Sequence, residues 1–144
     1  MDNAVEVARA CVRAMYEDDE ASRRLGIVVD EVAPGYAKAR MRVTEAMING
    51  HEICHGGFVF LLADSAFAFA CNTYDAVTVA AGADIVFVTP ARLGDDLAAE
   101  ARERTRFGRS GVYDVAVQRA DGTVVAEFRG LSRTVGGSIL ADKH

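Results

Sequence analysis

The 144-residue sequence has too little positive charge for a phosphate-rich partner, too few cysteines for a disulfide scaffold, and no apolar run long enough to span a bilayer. Lysine and arginine number 16 against 21 aspartates and glutamates, a formal net charge of −5, so a nucleic-acid backbone would be repelled overall. Cys11, Cys54 and Cys71 are odd in number and widely spaced, which fits reduced thiols in a cytoplasm rather than a disulfide framework. The longest apolar stretch, Phe58 to Cys71, is interrupted by Asp64 and Ser65, and it falls short of the roughly 20 residues a membrane helix needs. The acidic first twenty residues carry no basic cluster leading into an apolar stretch, so neither export nor a membrane partner is expected.

What is present, 51% hydrophobic and 26% charged residues, is the profile of one globular domain over 1–144. Asn3 and Glu6 read as a helix-starting capping pair. Val5, Ala8, Val12 and Met15 recur behind them at helical spacing, which predicts an amphipathic helix over 3–16 inside an N-terminal helical extension, 1–24. The acidic run Glu17-Asp18-Asp19-Glu20 reads as a solvated helix end or turn without a function. From Gly26 the period becomes two, giving strands over 27–32 and 37–43 around a Pro34-Gly35 turn. Four further strands follow over 77–89, 95–107, 111–119 and 123–133. Leu97 to Arg104 is rich in helix formers, yet Leu97, Ala99 and Ala101 alternate with Ala98, Glu100 and Arg102, and that alternation predicts a strand.

Between the second and third strands, Phe58 to Cys71 lacks turn residues, exceeds usual strand length and is apolar on all sides. Those features describe a helix enclosed by other structure. The element order therefore predicts an α+β fold in which one antiparallel sheet of about six strands wraps one long helix.

Asp64 is the sole charged side chain between Glu52 and Asp75, set inside the most apolar helix. A carboxylate so placed costs several kcal/mol unless it is paired, hydrogen-bonded, protonated or set in a cleft. A catalytic carboxylate is one reading; a cap on a neighbouring strand, or a bond to Ser65, is the other. The helix entrance reads Asn49-Gly50-His51-Glu52-Ile53-Cys54-His55-Gly56-Gly57. Glycines at a helix start leave the first N–H groups open, where the dipole favours a developing oxyanion, although a turn needing glycine would read the same way. Asp64 lies eight residues after Gly56, or roughly 12 Å along a helix. One chain's carboxylate therefore cannot serve its own helix tip, which predicts a twofold dimer with composite sites.

His51, Cys54 and His55 lack a fourth partner for zinc, so no metal is expected, and no cofactor. Adjacent Cys54 and His55 would point opposite ways in an extended chain, which makes Cys54 a buried hydrophobe rather than a nucleophile. Arg109, Arg129 and Arg133 sit on or beside the later strands and are candidates for phosphate binding, against the alternative of a solvated charged face. Phe58 and Val59 follow the glycines and are candidates for an acyl pocket.

Asn49-Gly50-His51, His55-Gly56-Gly57 and Leu62-Ala63-Asp64-Ser65-Ala66-Phe67 together resemble the signature of hotdog-fold acyl-CoA thioesterases, in particular the phenylacetate-pathway (PaaI-type) branch. The likeness runs from about Leu25 to Gly137. It implies the hotdog fold, a dimer with joined sheets and a tetramer of two dimers. It also implies Asp64 as catalytic carboxylate, Gly56 and Gly57 as backbone donors, Asn49 as a positioning group, His55 as polar support, and Ser65, with its hydroxyl, in the place of a threonine. The implied reaction is hydrolysis of an acyl-CoA, phenylacetyl or a hydroxylated aromatic acyl group. Two other activities fit the same residues: an enoyl-CoA hydratase or dehydratase using His55 and Asp64, and a non-catalytic acyl-CoA binding module.

Overall fold

The computed structural model describes residues 3–141. An N-terminal helix, α1 (Asn3–Asp18), is followed by a short helix, α2 (Glu20–Arg24). The strands are β1 (Val28–Ala33), β2 (Tyr36–Arg42), β3 (Thr78–Phe87), β4 (Asp96–Phe107), β5 (Ser110–Arg119) and β6 (Val124–Thr134). The long helix α3 (Gly56–Cys71) lies between β2 and β3 in the chain. The six strands form one antiparallel sheet in the order β1-β2-β4-β5-β6-β3, so β1 and β3 are its edges. This is the α+β hotdog architecture that the periodicity and the resemblance led us to expect.

The segment with competing preferences, Leu97 to Arg104, lies within β4 and pairs with β2 and β5 on its two sides. Tertiary pairing overrides local helix propensity there because its alternate residues Leu97, Ala99 and Ala101 are fully covered. Small side chains on the inner face, Ala37, Ala39, Ala99 and Ala101, let α3 lie close to the sheet. Gly130 on β6 serves the same end, since an added Cβ would come within 2.7 Å of the Phe67 ring of α3. Phe67, Phe69, Leu62 and Ala66 of the helix pack with Tyr113, Val115 and Val117 of β5 to fill the core.

Asn3 is the first described residue of α1, and the residue before it falls outside the described residues. The acidic run lies at the solvated end of α1 as expected, with one addition: Asp19 caps α2, accepting from the Ser22 N–H at 3.0 Å and from Ser22 Oγ at 2.7 Å. A five-residue helix is too short to show periodicity, which is why α2 was not visible in the sequence. Among the described residues no helix is long and apolar enough to cross a membrane.

Candidate active site

The approach to α3 is a pinned loop. Cys54 N donates to the Ala91 carbonyl and His55 N to the Met47 carbonyl, both at 2.7 Å. The Asn49 side-chain oxygen accepts from His51 N at 2.9 Å and from Ile53 N at 3.3 Å, so the side chain shapes the turn it belongs to. His55 is the N-cap of α3, its Nδ1 accepting from Gly57 N–H at 2.9 Å. With Nδ1 accepting, the ring's N–H donor is the one on Nε2, and the residue is exposed.

This geometry divides the two glycines. The Gly57 amide is taken by His55 and is not an open donor, a correction to the paired-amide expectation. The Gly56 N–H, one of those a helix leaves without an internal partner, is engaged by no loop or capping bond among the described residues. Gly56 lines a cleft of about 390 Å³ together with Asn49, Ile53, Val59, Phe87 and Val125, within the range of small-molecule sites. Of the two acyl-pocket candidates, Phe58 stacks edge-on to His55, and Val59 lines this cleft. Cys54 is buried at the cleft wall as a small hydrophobe.

Asp64 is half-buried, and its carboxylate has no hydrogen-bond or ion-pair partner among the described residues. Within the chain neither a neighbouring strand nor Ser65, which pairs with Ser22, takes this carboxylate. Burial, and secondarily the negative charge of Asp19, raises its pKa above the ordinary carboxylate value. The incompletely covered positions of the helix are Gly56, Gly57 and Phe58 in its first turn and then Phe60, Leu61, Asp64 and Ala68, so beyond the first turn they form a stripe at helical spacing that includes the one acid.

The remaining candidates scatter. Ser65 is only 7% exposed, and its Oγ lies 2.8 Å from Ser22 Oγ, so it ties α3 to α2 instead of facing the cleft. Arg129 is committed to a two-pronged pair with Asp114 at 2.7 and 3.0 Å. Arg133 is exposed on β6. Arg109, in the β4–β5 turn, borders a separate polar cavity of about 350 Å³ with Thr78, Ser132 and Thr134, near the C-terminal end of α3. Among the described residues no three His, Cys, Asp or Glu side chains gather as a metal site. The sequence reading missed Phe87 in the cleft; its parity with Ile85 on β3 was the available signal, since alternate residues share a sheet face.

A sheet-wrapped helix with an open amide at its tip and a bare carboxylate two turns on defines a class, the hotdog-fold thioester hydrolases. The thioesterase superfamily matches residues 51–126. The chain is 43% identical over 129 residues to the acyl-coenzyme A thioesterase PaaI of Escherichia coli, covering 90% of this chain and 92% of that one. The solved structure of the E. coli PaaI protein superposes with a TM-score of 0.93 at 40% identity, over 94% of this chain and 99% of the other. A PaaI mutant structure from Thermus thermophilus, 34% identical, has a TM-score of 0.78 and covers 81% of this chain and 100% of its own. The chain belongs to the thioesterase superfamily.

Proposed function

We propose that the protein hydrolyses acyl-CoA thioesters to free acid and CoA, with phenylacetyl or hydroxylated aromatic acyl groups preferred. The observation that carries this reading is the bare, half-buried carboxylate of Asp64 on an otherwise apolar helix whose tip presents the open Gly56 amide. The relatives named PaaI and acyl-coenzyme A thioesterase support the substrate class.

The proposed site is shared between two chains. Gly56 and Asp64 are eight residues apart on one rigid helix, roughly 12 Å, too far to act on one carbonyl. The edge strand β3 supports the pairing, because it exposes Val79, Val86 and Phe87 beside an unpaired row of backbone groups. Such an edge invites addition of another strand. An antiparallel β3–β3 pairing sets the Thr78 end of one strand opposite the Phe87 end of the other. Arg109 and its polar cavity then stand near the opposite glycine tip, in reach of CoA phosphates. Arg133 is held as a second, more exposed candidate for the same phosphates. A tetramer of two such dimers is the further assembly the resemblance implies.

In the proposed reaction the thioester carbonyl oxygen accepts from Gly56 N–H, where the helix dipole stabilises the developing oxyanion. The Nε2–H of His55 and the Asn49 turn order the carbonyl and the approaching water. Asp64 of the partner subunit takes the water proton as general base while CoA departs as a thiolate, or it attacks the carbonyl itself, expelling CoA thiolate and forming a mixed anhydride that water then hydrolyses to free acid and the restored carboxylate. CoA is part of the substrate, and no cofactor enters.

The test is thiol release across a panel of acyl-CoAs, with Asp64→Ala as control. Release from phenylacetyl-CoA by the wild type, lost in the folded variant, is the expected result. Tight acyl-CoA binding with no thiol release would instead make the protein a binding module, and consumption of an enoyl-CoA without thiol would make it a hydratase.

A further inference from the structure

The aromatic ring of Phe87 occupies space that exists because Gly56 has no side chain. A Cβ built on Gly56 would lie 3.0 Å from Phe87 Cζ, 3.2 Å from Cε1 and 3.6 Å from Cε2. The ring thus rests on the backbone of the first residue of α3, next to the open amide. Phe87 and Gly56 line the same cleft, together with the aliphatic Ile53, Val59, Val88 and Val125 and the polar Asn49 and Thr89. Among the described residues Phe87 is the one aromatic side chain in the lining. Its ring tip meets Gly56, and 55% of its surface is exposed within its own chain, on the β3 edge where the proposed shared site forms.

We infer that Phe87 is a specificity-determining residue, its ring forming the wall against which an aromatic acyl group stacks while the thioester carbonyl sits at Gly56. The inference rests on the acyl-CoA thioesterase reading above and adds to it a residue that selects the acyl group. Two ring faces or a face and an edge attract beyond the area they bury, an advantage a linear alkyl chain in the same cleft cannot collect. Position matters too. A wall fixed at the oxyanion donor holds an arylacetyl group one methylene away from its carbonyl, so ring stacking and carbonyl placement reinforce each other.

The experiment compares kcat/KM for phenylacetyl-CoA and octanoyl-CoA, two eight-carbon acyl groups, in the wild type, Phe87→Leu and Phe87→Tyr. The ratio of the two constants is expected to fall about fivefold in Phe87→Leu, which keeps apolar bulk but removes the ring. Phe87→Tyr is expected to keep the wild-type ratio. Equal losses on both substrates in Phe87→Leu, with an unchanged ratio, would overturn the role of Phe87 while leaving the thioesterase reading intact. Absence of thiol release from either ester by the wild type would overturn both. Sedimentation of each variant at the assay concentration shows whether the β3 edge still pairs, so a ratio lost with the assembly intact counts for the inference. A ratio that survives dissociation counts against it.

Discussion

Replacing Gly56 by alanine separates stability from catalysis at the helix tip, and the structure sets both magnitudes. The new Cβ would arrive 3.0 Å from the tip of the Phe87 ring, tighter than ordinary contact. Overpacking in a closed core costs about 1–3 kcal/mol, but here only the tip of a ring not enclosed by its own chain is met, so the cost falls at the low end. Alanine recovers up to about 1 kcal/mol of helix propensity lost to glycine. The two effects nearly cancel, and the melting temperature is expected to move by no more than about 4 °C. Turnover has no such compensation. The methyl group and the displaced ring obstruct the open donor at the helix start, and loss of one oxyanion donor costs about 10²–10³ in kcat. Gly50→Ala is the matched control, since its Cβ would meet nothing within 4 Å. Thiol release from phenylacetyl-CoA and thermal unfolding are measured side by side on both variants. A folded Gly56→Ala protein with near wild-type kcat would refute the placement of the carbonyl at this amide.

Two further outcomes follow from the same geometry. Asp64→Asn is expected to lower kcat by on the order of 10²-fold or more by removing the base or nucleophile. Its stability relative to wild type should depend on pH with a defined sign. Because the folded-state pKa of Asp64 is raised, chiefly by burial and then by Asp19, the wild type binds its proton more tightly when folded. That contribution is fully present below the ordinary value of 3.8 and is lost as pH rises through the raised one, so the asparagine variant gains on the wild type toward neutral pH. Melting temperatures of the two proteins that run parallel from about pH 3 to about pH 8, the span over which buried carboxylates titrate, would contradict it. Gly130→Ala should destabilise the fold by about 1–3 kcal/mol with kcat unaffected in the molecules that remain folded, because the added methyl meets a buried ring that cannot yield. The relevant contact is 2.7 Å to Phe67, itself 1% exposed. Urea unfolding midpoints check this.

The fold was legible where periodicity was strong. Six alternating segments and one apolar, turn-free segment place the sheet and α3 within two or three residues of their observed bounds, Leu97 to Arg104 included, because alternation reports burial and burial decides pairing. The helix α2 and the cap at Asp19 were not legible, since five residues carry less than two turns of pattern. At the site, the lone acid in an apolar helix gave Asp64 away, and the glycine pair marked the tip of α3. Which glycine is open was not legible: that depends on the rotamer of His55, whose Nδ1 takes the Gly57 amide. Ser65 was singled out by the resemblance and Arg129 by its place on a late strand, whereas their partners, Ser22 and Asp114, are distant in sequence and close only in the folded chain.

Subunit complementation tests the shared site most directly. Asp64→Ala and Gly56→Val chains, each inactive alone, are unfolded together and refolded as a mixture, then assayed for thiol release. Every mixed dimer contains one intact site under the composite arrangement, so random pairing should restore about one quarter of wild-type activity. A mixture that pairs normally but stays as inactive as its two parents would place both groups of each site on one chain and contradict the account.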